Sequence, residues 1–229
     1  MNIKSIKRRI KNFKNRKISK GRIKLVFSNN RGGMITNDIF KLNELTSIEV
    51  RRKKDTLNKY SQSYKCINPE IMFGKNWHRA SGYLTNYDEV IPVKYDILTN
   101  YNGKKVNIEF KLLFEEPISN VKMVKAWCFI NANQCIVLDD KGKYQYSLKT
   151  DSDVFEPVYN GKLNKVLFKN DYGSMLLSSK DSNVFSEDRI WKQKKHAEYV
   201  MLWHNDNEYP TIKKGTFYRC TWNISYLGL

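Results

Sequence analysis

From residue 215 to 227, apolar and polar positions alternate: Tyr218, Cys220, Trp222, Ile224 and Tyr226 fall on one side, and Arg219, Thr221, Asn223 and Ser225 on the other. Period two over that length predicts a β-strand with one buried face. The stretch 198–204 before it reads as a continuous apolar run, a second strand. Further upstream, 90–98 and 104–114 flank an Asn102-Gly103 turn and predict a hairpin, with Val106, Ile108, Phe110 and Leu112 alternating against Asn107, Glu109 and Lys111. The segment 121–130 is apolar on both faces, as a strand covered on two sides would be. Strand 134–138 leads into the turn Asp139-Asp140-Lys141-Gly142, and shorter strands are expected at 144–148, 154–159, 163–168 and 174–177. The charged run 178–189 reads as a loop.

The N-terminal part gives weaker signals. Residues 23–27 predict a short strand, and Ser28-Asn29-Asn30-Arg31-Gly32-Gly33 is turn chemistry, where we place a hinge. Between 38 and 64, Phe40, Leu42, Leu45 and Ile48 suit either a short helix or the approach to a strand at 48–52. Trp77-His78-Arg79 reads as a structural loop. About eight to ten strands at irregular spacing, without a helix–strand rhythm, predict an all-β fold, an antiparallel jelly-roll sandwich.

At 229 residues the chain suits one folded domain beyond its N-terminal segment. All five Trp and all fourteen Tyr lie past residue 37, enough for a sizeable core. Cys66, Cys128, Cys135 and Cys220 form no CxxC pair, so reduced, packed thiols are expected. No run of about 18 apolar residues predicts a transmembrane helix, and no secretory signal is visible. The expected location is the cytoplasm or nucleus of a cell, or a particle assembled there.

Charge changes the picture. The first 37 residues hold twelve cations, Lys4, Lys7, Arg8, Arg9, Lys11, Lys14, Arg16, Lys17, Lys20, Arg22, Lys24 and Arg31, and no acid, so they carry +12 of the formal +18. Such a block repels itself and stays open until a polyanion neutralises it. The chain therefore divides into a disordered basic arm, 1–37, and a folded domain, 38–229. Ile3, Ile6, Ile10, Phe13 and Ile18 approximate one helical stripe that would form on contact with a surface. The absence of Trp from the arm and the sparse stripe favour single-stranded nucleic acid over membrane as partner, and Lys7 to Lys17 would also serve as a nuclear import signal.

Candidate chemistry is scarce. Only His78, His196 and His204 are present, none in a metal or catalytic signature. Phosphate-loop, dinucleotide, zinc-protease and nucleophile-elbow motifs are absent. The pairs Asp88-Glu89, Glu115-Glu116 and Asp139-Asp140 suggest a metal nuclease, but adjacent strand residues face opposite ways and two of the pairs sit in turn-like surroundings, so solvated turns are the reading adopted. No catalytic residue, metal or cofactor is expected, and the chain reads as a non-enzyme.

The basic arm followed by a β-rich domain resembles the coat proteins of small viruses with circular single-stranded DNA. The segment AEYVMLWHNDNEYPTIKKGTFYRCTWNISYLGL resembles the final two strands and polar connection of geminivirus coat proteins and their nuclear shuttle proteins. The resemblance implies a capsid subunit that self-assembles into an icosahedral shell in a virion, with the arm on packaged single-stranded DNA more than RNA and an import receptor as a further partner. A shuttle or accessory protein that forms no shell is its alternative.

Overall fold

The computed structural model describes residues 16–20, 23–28, 32, 34–37, 47–53, 57–62, 69–86, 88–181, 187–194 and 196–227. Eighteen strands run through them: β1 (Arg16–Lys20), β2 (Ile23–Ser28), β3 (Met34–Asn37), β4 (Ser47–Lys53), β5 (Leu57–Ser61), β6 (Glu70–Phe73), β7 (Trp77–Thr85), β8 (Val90–Asn102), β9 (Lys105–Phe114), β10 (Val121–Ile130), β11 (Gln134–Asp139), β12 (Gly142–Ser147), β13 (Glu156–Gly161), β14 (Leu163–Asn170), β15 (Gly173–Asp181), β16 (Glu187–Gln193), β17 (His196–Asn205) and β18 (Phe217–Leu227). The all-β antiparallel class holds. No helix among the described residues is long and apolar enough to cross a membrane.

The architecture is not a jelly roll. β1, β2 and β3 form a small meander, and the other fifteen strands form one long sheet in the order β12-β11-β14-β15-β18-β9-β8-β7-β5-β4-β10-β17-β16-β13, with β6 paired to β7. Only Ser61 and Thr85 pair between β5 and β7, so the ladder is thinnest there. The two halves on either side of this seam fold face to face. Tyr199 and Trp203 on β17 meet Trp222 and Tyr218 on β18, with ring centroids 5.4 and 5.9 Å apart, although six strands separate β17 from β18 in the sheet. The far ends also approach each other, because Tyr159 on β13 donates a hydrogen bond to Asp139 on β11 at 3.0 Å. Burial together with this carboxylate pushes the Tyr159 phenol far up.

The interior between the halves takes one side of nearly every strand. On β18, Tyr218, Cys220, Trp222, Ile224 and Tyr226 are buried as the alternation predicts, and β9 supplies Val106, Ile108, Phe110 and Leu112. Trp222 is fully buried and sits edge-on to Phe110 at 4.7 Å. Cys128, Cys135 and Cys220 are buried in this interior.

Three expectations about individual segments need correction. Of the run 178–189 expected in a loop, 178–181 complete β15 and 187–189 open β16. The polar groups of 187–189 find partners locally: Arg189 is forked onto Glu187 at 3.0 and 3.2 Å, while buried Asp188 accepts hydrogen bonds from Tyr199 Oη at 2.6 Å and Leu163 N at 3.0 Å. Trp77-His78-Arg79 opens a nine-residue strand, where the small residues Ala80, Ser81 and Gly82 hide the alternation. The arm is not open throughout, since 16–37 contains β1 to β3 and Leu25, Phe27 and Ile35 belong to the core. The expected hinge carries a tight turn at Gly32, whose φ of +58° and closeness to the Gln62 carbonyl and the Tyr95 hydroxyl leave no room for a side chain. The expected N-terminal helix falls on 1–15, which lie outside the described residues, and on β1. The helix alternative at 38–46 lies outside them too.

Candidate functional site

Strands β10 and β17 are buried on both faces, which happens only where something besides the main core covers the second face. On β10, Val124, Ala126, Cys128 and Ile130 face the core, and Met123, Lys125, Trp127 and Phe129 face away from it. On β17, Ala197, Tyr199, Met201 and Trp203 face the core, and His196, Glu198, Val200 and Leu202 face away. The register aligns these outward residues in rows. Glu49 of β4, Lys125 and Leu202 are opposed in one, Trp127, Val200 and Arg189 in the next, and Phe129, Glu198 and Trp191 in the third. Trp127, Val200 and Leu202, with Met123, Phe129 and Trp191, make a second hydrophobic cluster separate from the core.

A charged cluster is set into this apolar surface. The Lys125 ammonium lies 3.2 Å from Glu198 Oε1 and 3.8 Å from Glu49 Oε1, and 5.2 Å from the Trp127 ring centre. Arg51 Nε donates to Glu49 Oε1. The Lys125 and Glu49 side chains are 6 and 5 % exposed, and Glu198 is 13 % exposed. Two carboxylates and two cations make the group neutral, the condition under which charges survive burial. Trp127 Nε1 is buried and has no hydrogen-bond partner among the described residues, so this face holds a donor without an acceptor.

The face opens toward the start of β17. His196 stands two residues before Glu198 on the same side of the strand, about 7 Å away along the chain. Its ring packs on Phe129 at 4.3 Å and on Phe155 at 5.7 Å. Beyond it lies a cleft of about 390 Å³, lined by Asn131, Asn133, Thr150, Asp151, Gln193 and His196 among others. The charged cluster and its aromatic neighbours are buried beside this cleft without lining it, and His196, which packs on Phe129 and lines the cleft, joins the two. This combination suits a ligand with apolar C–H faces and several hydroxyls.

The residues expected to bind nucleic acid are not brought together here. Arg16, Lys17 and Lys20 lie on β1 and Lys24 on β2, while Lys4, Lys7, Arg8, Arg9, Lys11, Lys14, Arg22 and Arg31 lie outside the described residues. His78 is buried against Phe27 at 4.3 Å, and His204 Nε2 lies 3.4 Å from the Val121 carbonyl. Asp139 closes its turn by accepting from Lys141 N and Gly142 N. Among the described residues no cluster of three or more His, Cys, Asp or Glu could hold a metal ion. The residues that sequence reasoning missed are Glu49, Lys125, Trp127 and Glu198. Their signal was present: Lys125 interrupts VKMVKAWCFI and Glu198 interrupts AEYVMLW, charges inside strands that read as buried on both faces.

No protein-family model and no curated protein matches the chain. Solved structures do. A galactose mutarotase-like protein from Lactobacillus casei ATCC 334 superposes with a TM-score of 0.58 at 8% identity over 93% of this chain and 100% of that one. The Slr1438 protein from Synechocystis sp. PCC 6803 gives 0.57 at 9% identity over 94% and 96%. A galactose mutarotase related enzyme from Lactobacillus acidophilus gives 0.53 at 12% identity over 93% and 97%. The chain thus has a galactose mutarotase-like fold. This overturns the resemblance to coat proteins of circular DNA viruses, and with it the capsid and shuttle functions, the virion location and the non-enzyme reading. The strand alternation and basic arm that carried the resemblance are features many β-proteins share, and they do not encode strand order.

Proposed function

We propose that the protein is a sugar-binding enzyme that interconverts the anomers of an aldose at the outward face of β4, β10, β17 and β16. The observation that carries this reading is the buried Glu49–Lys125–Glu198 cluster beside Trp127, on a face that leads into the His196 cleft. The similarity in fold to galactose mutarotase-like proteins supports it.

Anomers exchange when the ring opens and recloses. A base takes the proton from the C1 hydroxyl while an acid protonates the ring oxygen, the bond from C1 to the ring oxygen breaks, and an open-chain aldehyde results. Rotation about C1–C2 presents the other face of the aldehyde, and reversal of both proton transfers closes the ring in the opposite configuration. No redox change or co-reactant is needed. Glu198 is the base in this reading, held 3.2 Å from the Lys125 ammonium. His196, about 7 Å along the same strand face, is the acid, a separation that spans the edge of a sugar ring carrying the C1 hydroxyl and the ring oxygen. Trp127, Phe129 and Trp191 offer flat apolar surface to the C–H face of the sugar, and Trp127 Nε1 offers a donor to a hydroxyl.

The test is polarimetry of freshly dissolved α-D-galactose and α-D-glucose. Wild-type protein should hasten the approach to equilibrium, and Glu198→Gln should slow the catalysed rate about 10²-fold or more. No acceleration with any aldose, or an unchanged rate in Glu198→Gln, would refute the assignment. A second reading, sugar binding without catalysis, is favoured by one observation: both carboxylates are already engaged by cations. Saturable galactose binding without acceleration would select it.

A further inference from the structure

The other half of the long sheet carries a patterned surface of its own. β7, β8, β9, β18 and β15 are successive neighbours, and their register sets Trp77, Asn100, Asn107, Asn223 and Ser178 side by side in one row. Opposed residues on antiparallel strands share a face. Here it is the face away from the core, since Thr99, Ile108, Trp222 and Leu177, each one position along its strand, are buried, while Asn100 and Asn223 are exposed. The row crosses five strands, about 19 Å at the usual strand spacing. Together with Asn76, Asn102, Lys105 and Ser225, its three asparagines border an open cleft of about 420 Å³.

The chemistry of the row is specific. Asn107 Nδ2 donates to Asn223 Oδ1 at 2.8 Å, which fixes both amides and leaves the Asn107 oxygen and the Asn223 NH₂ group as the acceptor and donor of the pair at the cleft. Each amide offers a donor and an acceptor in one plane, the pattern that adjacent hydroxyls of a sugar satisfy, because a hydroxyl both donates and accepts. At the end of the row, the Trp77 indole lies over Gly74, where an added Cβ would come within 2.3 Å of Nε1. The turn beneath it is tied to β8, with Tyr101 Oη donating to the Lys75 carbonyl at 2.5 Å and Tyr101 N to the Asn76 carbonyl at 2.9 Å. A flat aromatic plate thus stands at the end of a row of amides, two of which hold each other in place. Nucleic acid would call for a line of cations and a protein partner for an apolar centre, and the row has neither.

We infer that the outward face of β7, β8, β9, β18 and β15 binds an extended neutral oligosaccharide, at a surface distinct from the Glu49–Lys125–Glu198 site on the opposite half. The experiment is isothermal titration calorimetry of the full chain with linear neutral hexaoses of glucose, xylose and mannose, and with an oligogalacturonate as anionic comparison. At least one neutral hexaose should bind and the oligogalacturonate should not. Trp77→Ala and the pair Asn107→Ala with Asn223→Ala should each weaken binding about 5- to 10-fold, the loss of one or two hydrogen bonds or of a stacking surface. The exposed Asn100→Ala should weaken it severalfold at an unchanged melting temperature, a loss that a folding defect does not explain. Glu198→Gln should bind as wild type, which separates this surface from the proposed catalytic face. Absence of binding by every neutral hexaose at millimolar concentration would overturn the inference. So would equal binding of the oligogalacturonate, indifference to all three row variants, or loss of binding in Glu198→Gln.

Discussion

Replacing Lys125 by methionine tests whether the charged cluster is a balanced unit. Methionine keeps the length of the side chain and its contact with Trp127 but removes the cation. Glu198, 3.2 Å away, then loses its charge partner, and Glu49, 3.8 Å away, keeps only Arg51. Both carboxylates are nearly covered, so solvent screening does little to soften the loss. Breaking a buried pair by removing one partner costs about 3–5 kcal/mol, whereas removing all the charges together is close to neutral. For a domain of this size, about 3–5 kcal/mol corresponds to a fall in melting temperature of roughly 6–20 °C. The triple variant Lys125→Met, Glu49→Gln, Glu198→Gln should recover most of that fall, because no uncompensated charge then remains except Arg51, which is partly exposed and can turn to water. Calorimetry of wild type, single and triple variants measures both numbers. A loss under about 1 kcal/mol in the single variant, or a triple variant no better than the single, would refute the reasoning.

Trp222→Ala should cost about 3–5 kcal/mol, since the ring is fully buried against Phe110 and Tyr199, while Asn223→Ala, facing outward on the same strand, should cost little; denaturant midpoints compare them. Tyr199→Phe should cost about 1–3 kcal/mol by depriving buried Asp188 of a hydrogen bond at 2.6 Å, also read from denaturant midpoints. Burial, with help from Glu89 at 2.7 Å, pushes the Tyr60 phenol up to about 12, so the fold favours its neutral form. That contribution is whole below about pH 10, the unfolded value, and is lost as pH rises from about 10 through 12, so midpoints measured from pH 8 to 12 should fall less steeply in Tyr60→Phe than in wild type.

What the sequence made legible follows from the range of the signal. Alternation along β18 and β9 depends on one buried face, and both strands were readable to within a residue or two. Strand order depends on contacts between segments far apart in the chain. β10 pairs with β4 and β17, and β18 pairs with β9 and β15, yet nothing in the local pattern of 121–130 or 217–227 selects those partners. A sandwich of about eight strands and one sheet of fifteen folded on itself share the same alternation, and so the all-β class survives where the jelly roll does not. β7 escaped notice for a local reason: Ala80, Ser81 and Gly82 are small enough to pack against neighbours without displaying an apolar side.

The site was hidden by how charge is usually read. Twelve cations in the first 37 residues draw attention because they are uncompensated, but uncompensated charge belongs in water and by itself builds no geometry. Lys125 and Glu198 are unremarkable in number and far apart in sequence, and each becomes informative only through its surroundings, a strand whose other residues are buried on both sides. A charge in such a strand must have a partner of opposite sign within a few ångströms, or the strand would not fold as it does. The two interrupted apolar strands, one carrying a lysine and one a glutamate, each require a partner of opposite sign without naming its strand, and in the fold Lys125 finds one in Glu198 at 3.2 Å and another in Glu49 at 3.8 Å.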